Sequence, residues 1–252
     1  MKKINLILAF IVISFFVFSQ NKIVYLVTLD WPPYISSTAK DSSPQLANYG
    51  YVAEIAYEAF KKAGYELKID FKPWERAVKE ATDGDYDGLF PEYYGEERKK
   101  DFVFSDPFPG GPLGFYKRKD FKIKFSSLKD LKDYKIGVVR GYINTVEFDN
   151  ATYLQKEDVV DDETNIKKLY FGRINLIVID KFVGEYLIKT KFPNYYDELE
   201  FLEPPLEVKD LYIVFSKKSK DYQQKLKDFN KGLAEIKKSG LIDKILKKQG
   251  FK

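Results

Sequence analysis

Between Lys22 and Phe90 the apolar residues alternate between a period of two and a period near 3.6, and this alternation restricts the fold more than any other feature of the chain. The run KIVYLVT, residues 22–28, is short, β-branched and apolar, and reads as a buried strand. Asp30-Trp31-Pro32-Pro33-Tyr34 then stops any regular element. After a polar loop through Ser42 and Ser43, the residues Val52, Ile55, Ala56, Ala59, Phe60 and Ala63 recur at i, i+3, i+4, i+7 and i+8. They form one face of a helix that Gly64 ends. Tyr65, Leu67, Ile69 and Phe71 alternate with polar residues, as a strand does. Pro73 opens a second helix with Trp74, Ala77, Val78 and Ala81 on one face and Gly84 beyond its end, and DYDGLF follows as a third strand. Strand, helix, strand, helix, strand predicts an α/β fold with a parallel sheet and crossover helices.

The pattern restarts past a break at Pro107, Pro109, Gly110, Gly111 and Pro112. Leu113 to Tyr116 is strand-like, Leu128 to Leu131 is a short turn, and KIGVV is an apolar strand running into Arg140-Gly141. Another strand, Ile174 to Ile179, ends at Asp180 and is followed by an amphipathic helix carrying Phe182, Val183, Tyr186 and Leu187. These elements predict a second α/β lobe. One more strand near Leu211 to Phe215 precedes two tail helices, one with Leu226, Phe229, Leu233 and Ile236, the other with Leu241, Ile242, Ile245 and Leu246.

The amino terminus has a different character. Lys2 and Lys3 precede an apolar run from Ile4 to Phe18, with a small residue, Ser19, at the expected cleavage point: the form of a secretory signal over residues 1–19. A retained membrane anchor is the competing reading, because the run approaches the roughly 20 residues that a span needs. The chain has no cysteine, which rules out both a lipid-modified cysteine and a disulfide framework. Export without a lipid anchor predicts a periplasmic protein. Of 42 basic residues the signal removes Lys2 and Lys3, leaving 40 against 38 acidic ones. A balance so near neutrality gives neither nucleic acid nor an anionic membrane surface as a partner. With no histidine and no cysteine, Ser-His-Asp and Cys-His nucleophiles and ordinary zinc sites are excluded, and neither a metal nor a cofactor is expected.

Arg98 stands out within PEYYGEERKKDFVFSDPF, residues 91–108, because lysine far outnumbers arginine in this chain. A guanidinium offers paired N–H donors that match the two oxygens of a carboxylate, a geometry lysine cannot reproduce. Residue type alone equally permits a solvated charge in a Lys/Glu-rich turn.

Taken in order, DWPPY, GYVAEIAYEAF, DGDYDGLF, GEERKKDFVFSDPF, KIGVVRG and LYFGRINLIVID resemble the bacterial family 3 extracellular solute-binding proteins, the polar amino-acid receptors of ABC importers. The resemblance spans nearly all of the mature chain. It implies a type II periplasmic binding protein fold, with two lobes joined by two hinge strands. Residues 20–111 and 210–252 would form lobe 1, residues 112–209 lobe 2, and the ligand would sit between them. It further implies that Arg98, seven residues ahead of Ser105, binds the ligand carboxylate, and that Asp180, seven after Arg173, receives its amino group. Trp31 and Tyr34 fall where the family sets aromatic rings against the ligand, although packing after the Pro-Pro turn would also account for them. Two charges on separate lobes would meet one zwitterion only on closure.

Departures from the family pattern concern the ligand. Pro91, Tyr93 and Gly95 stand where small hydroxyl residues are usual, and Gly141-Tyr142 replaces Gly-Thr. The larger aromatic groups either narrow the cleft or build a stacking surface. In PWERA, Trp74 is a rim contact or a core residue, with Glu75 and Arg76 at the rim or facing solvent. The expected function is capture of a small, polar, amino-acid-like solute by a monomer that delivers it to an inner-membrane ABC permease. Two other readings stay open: a sensing subunit for a membrane receptor, and a cyclohexadienyl-dehydratase-like enzyme using Glu75, Glu92 or Asp180 as acid or base.

Overall fold

A computed structural model describes residues 22–37 and 49–251. The signal-like segment at residues 1–19 and the polar loop through Ser42 and Ser43 lie outside the described residues.

The first βαβαβ series forms as its periodicity predicts. Strand β1 (Lys22–Thr28) pairs in parallel with β2 (Tyr65–Phe71) and β3 (Gly88–Glu92), and the crossovers are α1 (Tyr51–Lys62) and α2 (Trp74–Asp83). α1 buries Val52, Ile55, Ala56, Ala59 and Phe60, the stripe set by its 3.6 period. α2 ends at Gly84, whose φ of 89° is one that a side chain would resist.

A 3-10 turn (Glu96–Lys100) carries Arg98 and leads to β4 (Phe102–Phe104). β5 (Phe108–Arg118) follows, so the Pro- and Gly-rich segment that reads as a break in the sequence lies inside a continuous strand. The prolines cost it ladder bonds, and its pairing with β9 (Leu199–Ser216) shifts register between Pro109 and Pro112. β9 is also far longer than the predicted Leu211–Phe215. Its early residues pair with β5 and its last ones with β3 and β4, all antiparallel. β5 and β9 are thus the two strands that run between the lobes.

In the second lobe β6 (Lys135–Val139) pairs in parallel with β7 (Gln155–Val159) and β8 (Leu176–Asp180), and β8 pairs antiparallel with β5. Three elements here went unread in the sequence: α3 (Val146–Asn150), β7 and α4 (Asp162–Tyr170). β7 is QKEDV, a polar edge strand with no apolar alternation to reveal it. α5 (Lys181–Thr190) follows β8 as expected.

The tail returns to the first lobe. α6 (Tyr222–Lys238) packs on α1 so closely that a Cβ on Gly232 would collide with the backbone of Ala59, and Phe60 lies 4.9 Å from Phe229 between ring centroids. α7 (Leu241–Lys248) completes that layer. Among the described residues no helix is long and apolar enough to cross a membrane.

Candidate functional site

The carboxyl ends of β1 and β3 and the loop after β6 meet where the two lobes face each other, the place where open α/β sheets hold ligands. A cavity of about 20 Å³, room for about one water, lies there. Trp31, Trp74, Glu92 and Tyr93 line it from the first lobe, and Tyr142 and Ile143 from the second.

The aromatic walls stand at steep angles to one another. Trp31 meets Tyr93 at 78° and Tyr142 at 84°, with centroids 5.8 and 6.4 Å apart, and Trp74 meets Tyr142 at 89° and 6.1 Å. Tyr34 stacks on Trp31 at 4.6 Å and is itself fully buried. The two sequence alternatives for this pair therefore divide: Trp31 faces the cavity, whereas Tyr34 packs behind it. Trp74 is at once buried and a cavity wall, with Glu75 and Arg76 exposed beside it.

Neither of the two charges singled out in the sequence lines the cavity. Arg98 turns to a carboxylate of its own lobe: its Nε donates to Glu92 Oε2 at 2.8 Å. Its Nη2 reaches across and donates to the Gly141 carbonyl at 2.7 Å. The same carbonyl accepts from Trp74 Nε1 at 3.0 Å, so two first-lobe side chains converge on one second-lobe oxygen.

Asp180 is likewise satisfied from within. Its Oδ1 caps α5 by accepting from the backbone N–H groups of Phe182 and Val183 at 2.9 and 3.3 Å. Its Oδ2 accepts from the hydroxyls of Tyr34 and Tyr93 at 2.9 and 3.0 Å. Four donors use the lone pairs that a carboxylate has to offer. The arrangement thus brings Arg98 and Asp180 to the cleft but sets each one residue behind it, with Glu92 and Tyr93 in front.

Three site residues are new relative to the sequence expectation of a binding site: Ile143, Glu92 and Asp162. Glu92, weighed there only as a candidate acid or base, is a wall of the cavity. Asp162 was not singled out at all. It stands in the first turn of α4, which Asp161 caps by accepting from Thr164 N at 2.7 Å. A capping Asp followed by Ile166 and Leu169 at helical spacing was the signal available for that helix. Asp162 Oδ2 accepts from Tyr142 Oη at 3.2 Å, while its Oδ1 is buried without a partner, as is Trp31 Nε1. The indole N–H stands near enough to ease the Asp162 charge, at a geometry that closes no hydrogen bond.

Burial governs the electrostatics. It pushes Glu92 up to about 7 against the opposing pull of Arg98. It pushes Asp162 up to about 7 despite the Tyr142 hydroxyl, and Asp180 up to about 6 despite its donors. The Tyr34, Tyr93 and Tyr142 hydroxyls are raised by burial and by the same carboxylates, so they remain donors at any ordinary pH.

Comparison with known proteins bears on the whole chain. The family model described as bacterial extracellular solute-binding proteins, family 3, matches residues 23–251. The arginine-binding extracellular protein ArtP of Bacillus subtilis (strain 168) is 30% identical over 209 residues, covering 79% of this chain and 76% of that one. The L-cystine-binding protein TcyJ of Escherichia coli (strain K12) is 24% identical over 202 residues, covering 79% and 73%. Among solved structures, an ancestral arginine-binding protein bound to arginine superposes with a TM-score of 0.73 at 24% identity, over 90% of this chain and 98% of the other.

Proposed function

We infer that this chain, which belongs to the bacterial extracellular solute-binding proteins of family 3, captures a small, polar, amino-acid-like solute between its lobes and delivers it to an ABC permease. The observation that carries this reading is the cavity itself. Its walls come from both lobes, and the lobes are joined across it by Arg98 and Trp74 on the Gly141 carbonyl. With room for about one water, this cavity takes one polar head while the rest of the solute lies in the cleft between the two halves, so binding energy from both favours the closed form over the open one.

The supporting kinship is with binding proteins. ArtP is named for arginine and TcyJ for cystine, which favours capture for import over receptor sensing and over dehydratase chemistry. Residues 1–19 act as a signal peptide that sends the chain to the periplasm, where it works as a monomer. Residues 20–111 and 210–252 are assigned to lobe 1 and residues 112–209 to lobe 2, with the crossings in β5 and β9. Trp31, Trp74, Tyr93 and Tyr142 contact the solute. Tyr34, Gly141, Arg98 and Asp180 hold those walls and the closed state.

A thermal-shift screen against amino acids, amines, organic acids and small peptides tests the capture reading. A true ligand at one hundred times its dissociation constant adds about 2.7 kcal/mol to stability. A shift from at least one class is expected, and no shift from any of them would remove solute capture as the function.

A further inference from the structure

The cleft buries three carboxyl groups against one paired cation. Glu92, Asp162 and Asp180 are 3%, 5% and 2% exposed, and Arg98 faces only the first of them. The other nearby cations pair with other carboxylates. Lys209 lies 5.5 Å from the centroid of the Tyr93 ring and pairs with Glu207 at 3.2 Å, and the exposed Arg140 pairs with Glu75 at 3.6 Å. Asp162 Oδ1 is buried and accepts nothing. Around these carboxyl groups stand Trp31, Trp74, Tyr93 and Tyr142, rings set at steep angles whose electron-rich faces attract a cation.

We propose that the solute is an organic amine lacking an α-carboxylate, its ammonium head lodged among these four rings beside Glu92. The assignment rests on the capture of a small polar solute inferred above and replaces the amino-acid-like ligand with an amine. An amino acid would have to take Arg98 from Glu92 to place its carboxylate. That exchange leaves Glu92 buried without its counter-charge and places a further carboxyl group beside three that are already buried. An ammonium group brings these carboxyl groups a counter-charge and displaces no internal pair. The cavity of about 20 Å³ matches one such head, close to a water in size, and the carbon body of the amine extends toward the cleft mouth with the lobes closed less far over it.

The test is calorimetric titration of the purified protein with amino acids and their decarboxylated counterparts: arginine against agmatine, lysine against cadaverine, and tyrosine against tyramine. At least one amine is expected to bind about tenfold or more tightly than its parent. Glu92→Gln, which frees Arg98 for an incoming carboxylate, is expected to bring that preference to parity or reverse it. If the amino acid is the tighter member of every responsive pair, the amine assignment falls and capture stands. If none of the six binds, the assignment also falls, and capture is then decided by the broader thermal-shift screen. Should Glu92→Gln fail to fold, the wild-type comparison alone decides between amine and amino acid.

Discussion

Arg98 spends its charge on a carboxylate that the protein supplies itself, so removing either member strands the other in a region that excludes water. Both side chains are largely buried, at 14% and 3% exposure, so solvent screens the pair little. Arg98→Ala is therefore expected to lower unfolding stability by about 3–5 kcal/mol in urea titrations. A loss under about 1 kcal/mol would class the pair with ordinary surface bridges. The buried carboxylates also set the pH response. Glu92 and Asp162 are raised to about 7 and Asp180 to about 6, from ordinary values of 4.5, 3.8 and 3.8. Between those limits the folded state holds protons that the unfolded chain has released, so stability falls as pH rises through the window. The lowered surface carboxylates Glu80, Asp83 and Glu157 act at more acidic pH and do not oppose this slope. The melting temperature should be higher near pH 5 than near pH 7.5, with a shallower slope in Glu92→Gln. A melting temperature that climbs across that interval would contradict the assigned burial effect.

At the scale of elements, Asp180 ties β8, α5 and two first-lobe tyrosines together. It ends the strand, caps the helix and accepts both hydroxyls, with four hydrogen bonds on its two oxygens. Asp180→Ala should cost about 3–5 kcal/mol, from a lost cap of about 1 kcal/mol and two stranded hydroxyls at about 1–2 kcal/mol each. Asp180→Asn, whose amide oxygen can still accept, should cost clearly less in the same denaturation experiment. Equal losses for both would mean that the charge, and not the capping geometry, is what α5 requires. Legibility in the sequence also divides by element. α1 and β2 announce themselves because burial on one face imposes a period on their residues, and β1 and β6 because they are short continuous apolar runs. β7 carries no such period, since QKEDV lies at the sheet edge with little apolar surface to hide. β5 hid its length for another reason. Prolines usually mark a break, yet here the missing ladder bonds are absorbed by a register shift against β9.

The molecule as a whole works through the contact between lobes. Gly95 of the first lobe meets Ile143 of the second so closely that a Cβ would collide with the end of the isoleucine side chain. The isoleucine tip can turn aside from a small side chain, but the one introduced by Gly95→Trp is too large to be cleared in that way and should therefore prop the lobes apart. In small-angle scattering the wild type should contract when ligand is added, whereas the variant should keep the radius it has without ligand, and its affinity should fall several-fold. Its far-UV spectrum should not change, because the clash lies between folded units. A variant that closes as the wild type does would place Gly95 outside the closing surface.

The sequence by itself determined the α/β class, the restart of the pattern in a second lobe and the family, and it singled out Arg98, Asp180, Trp31 and Trp74 as candidates while leaving the role of the two tryptophans open. Those features are local, or depend on order along the chain, and periodicity and motif spacing record them. Only the tertiary structure decided which charges remain unspent. Glu92 and Arg98 are six residues apart, but Asp180 meets Tyr34 across 146 residues and Tyr93 across 87. Whether a charge greets a ligand or satisfies a neighbour depends on which side chains folding brings within hydrogen-bond reach, and on how far burial raises the cost of leaving any of them unpaired.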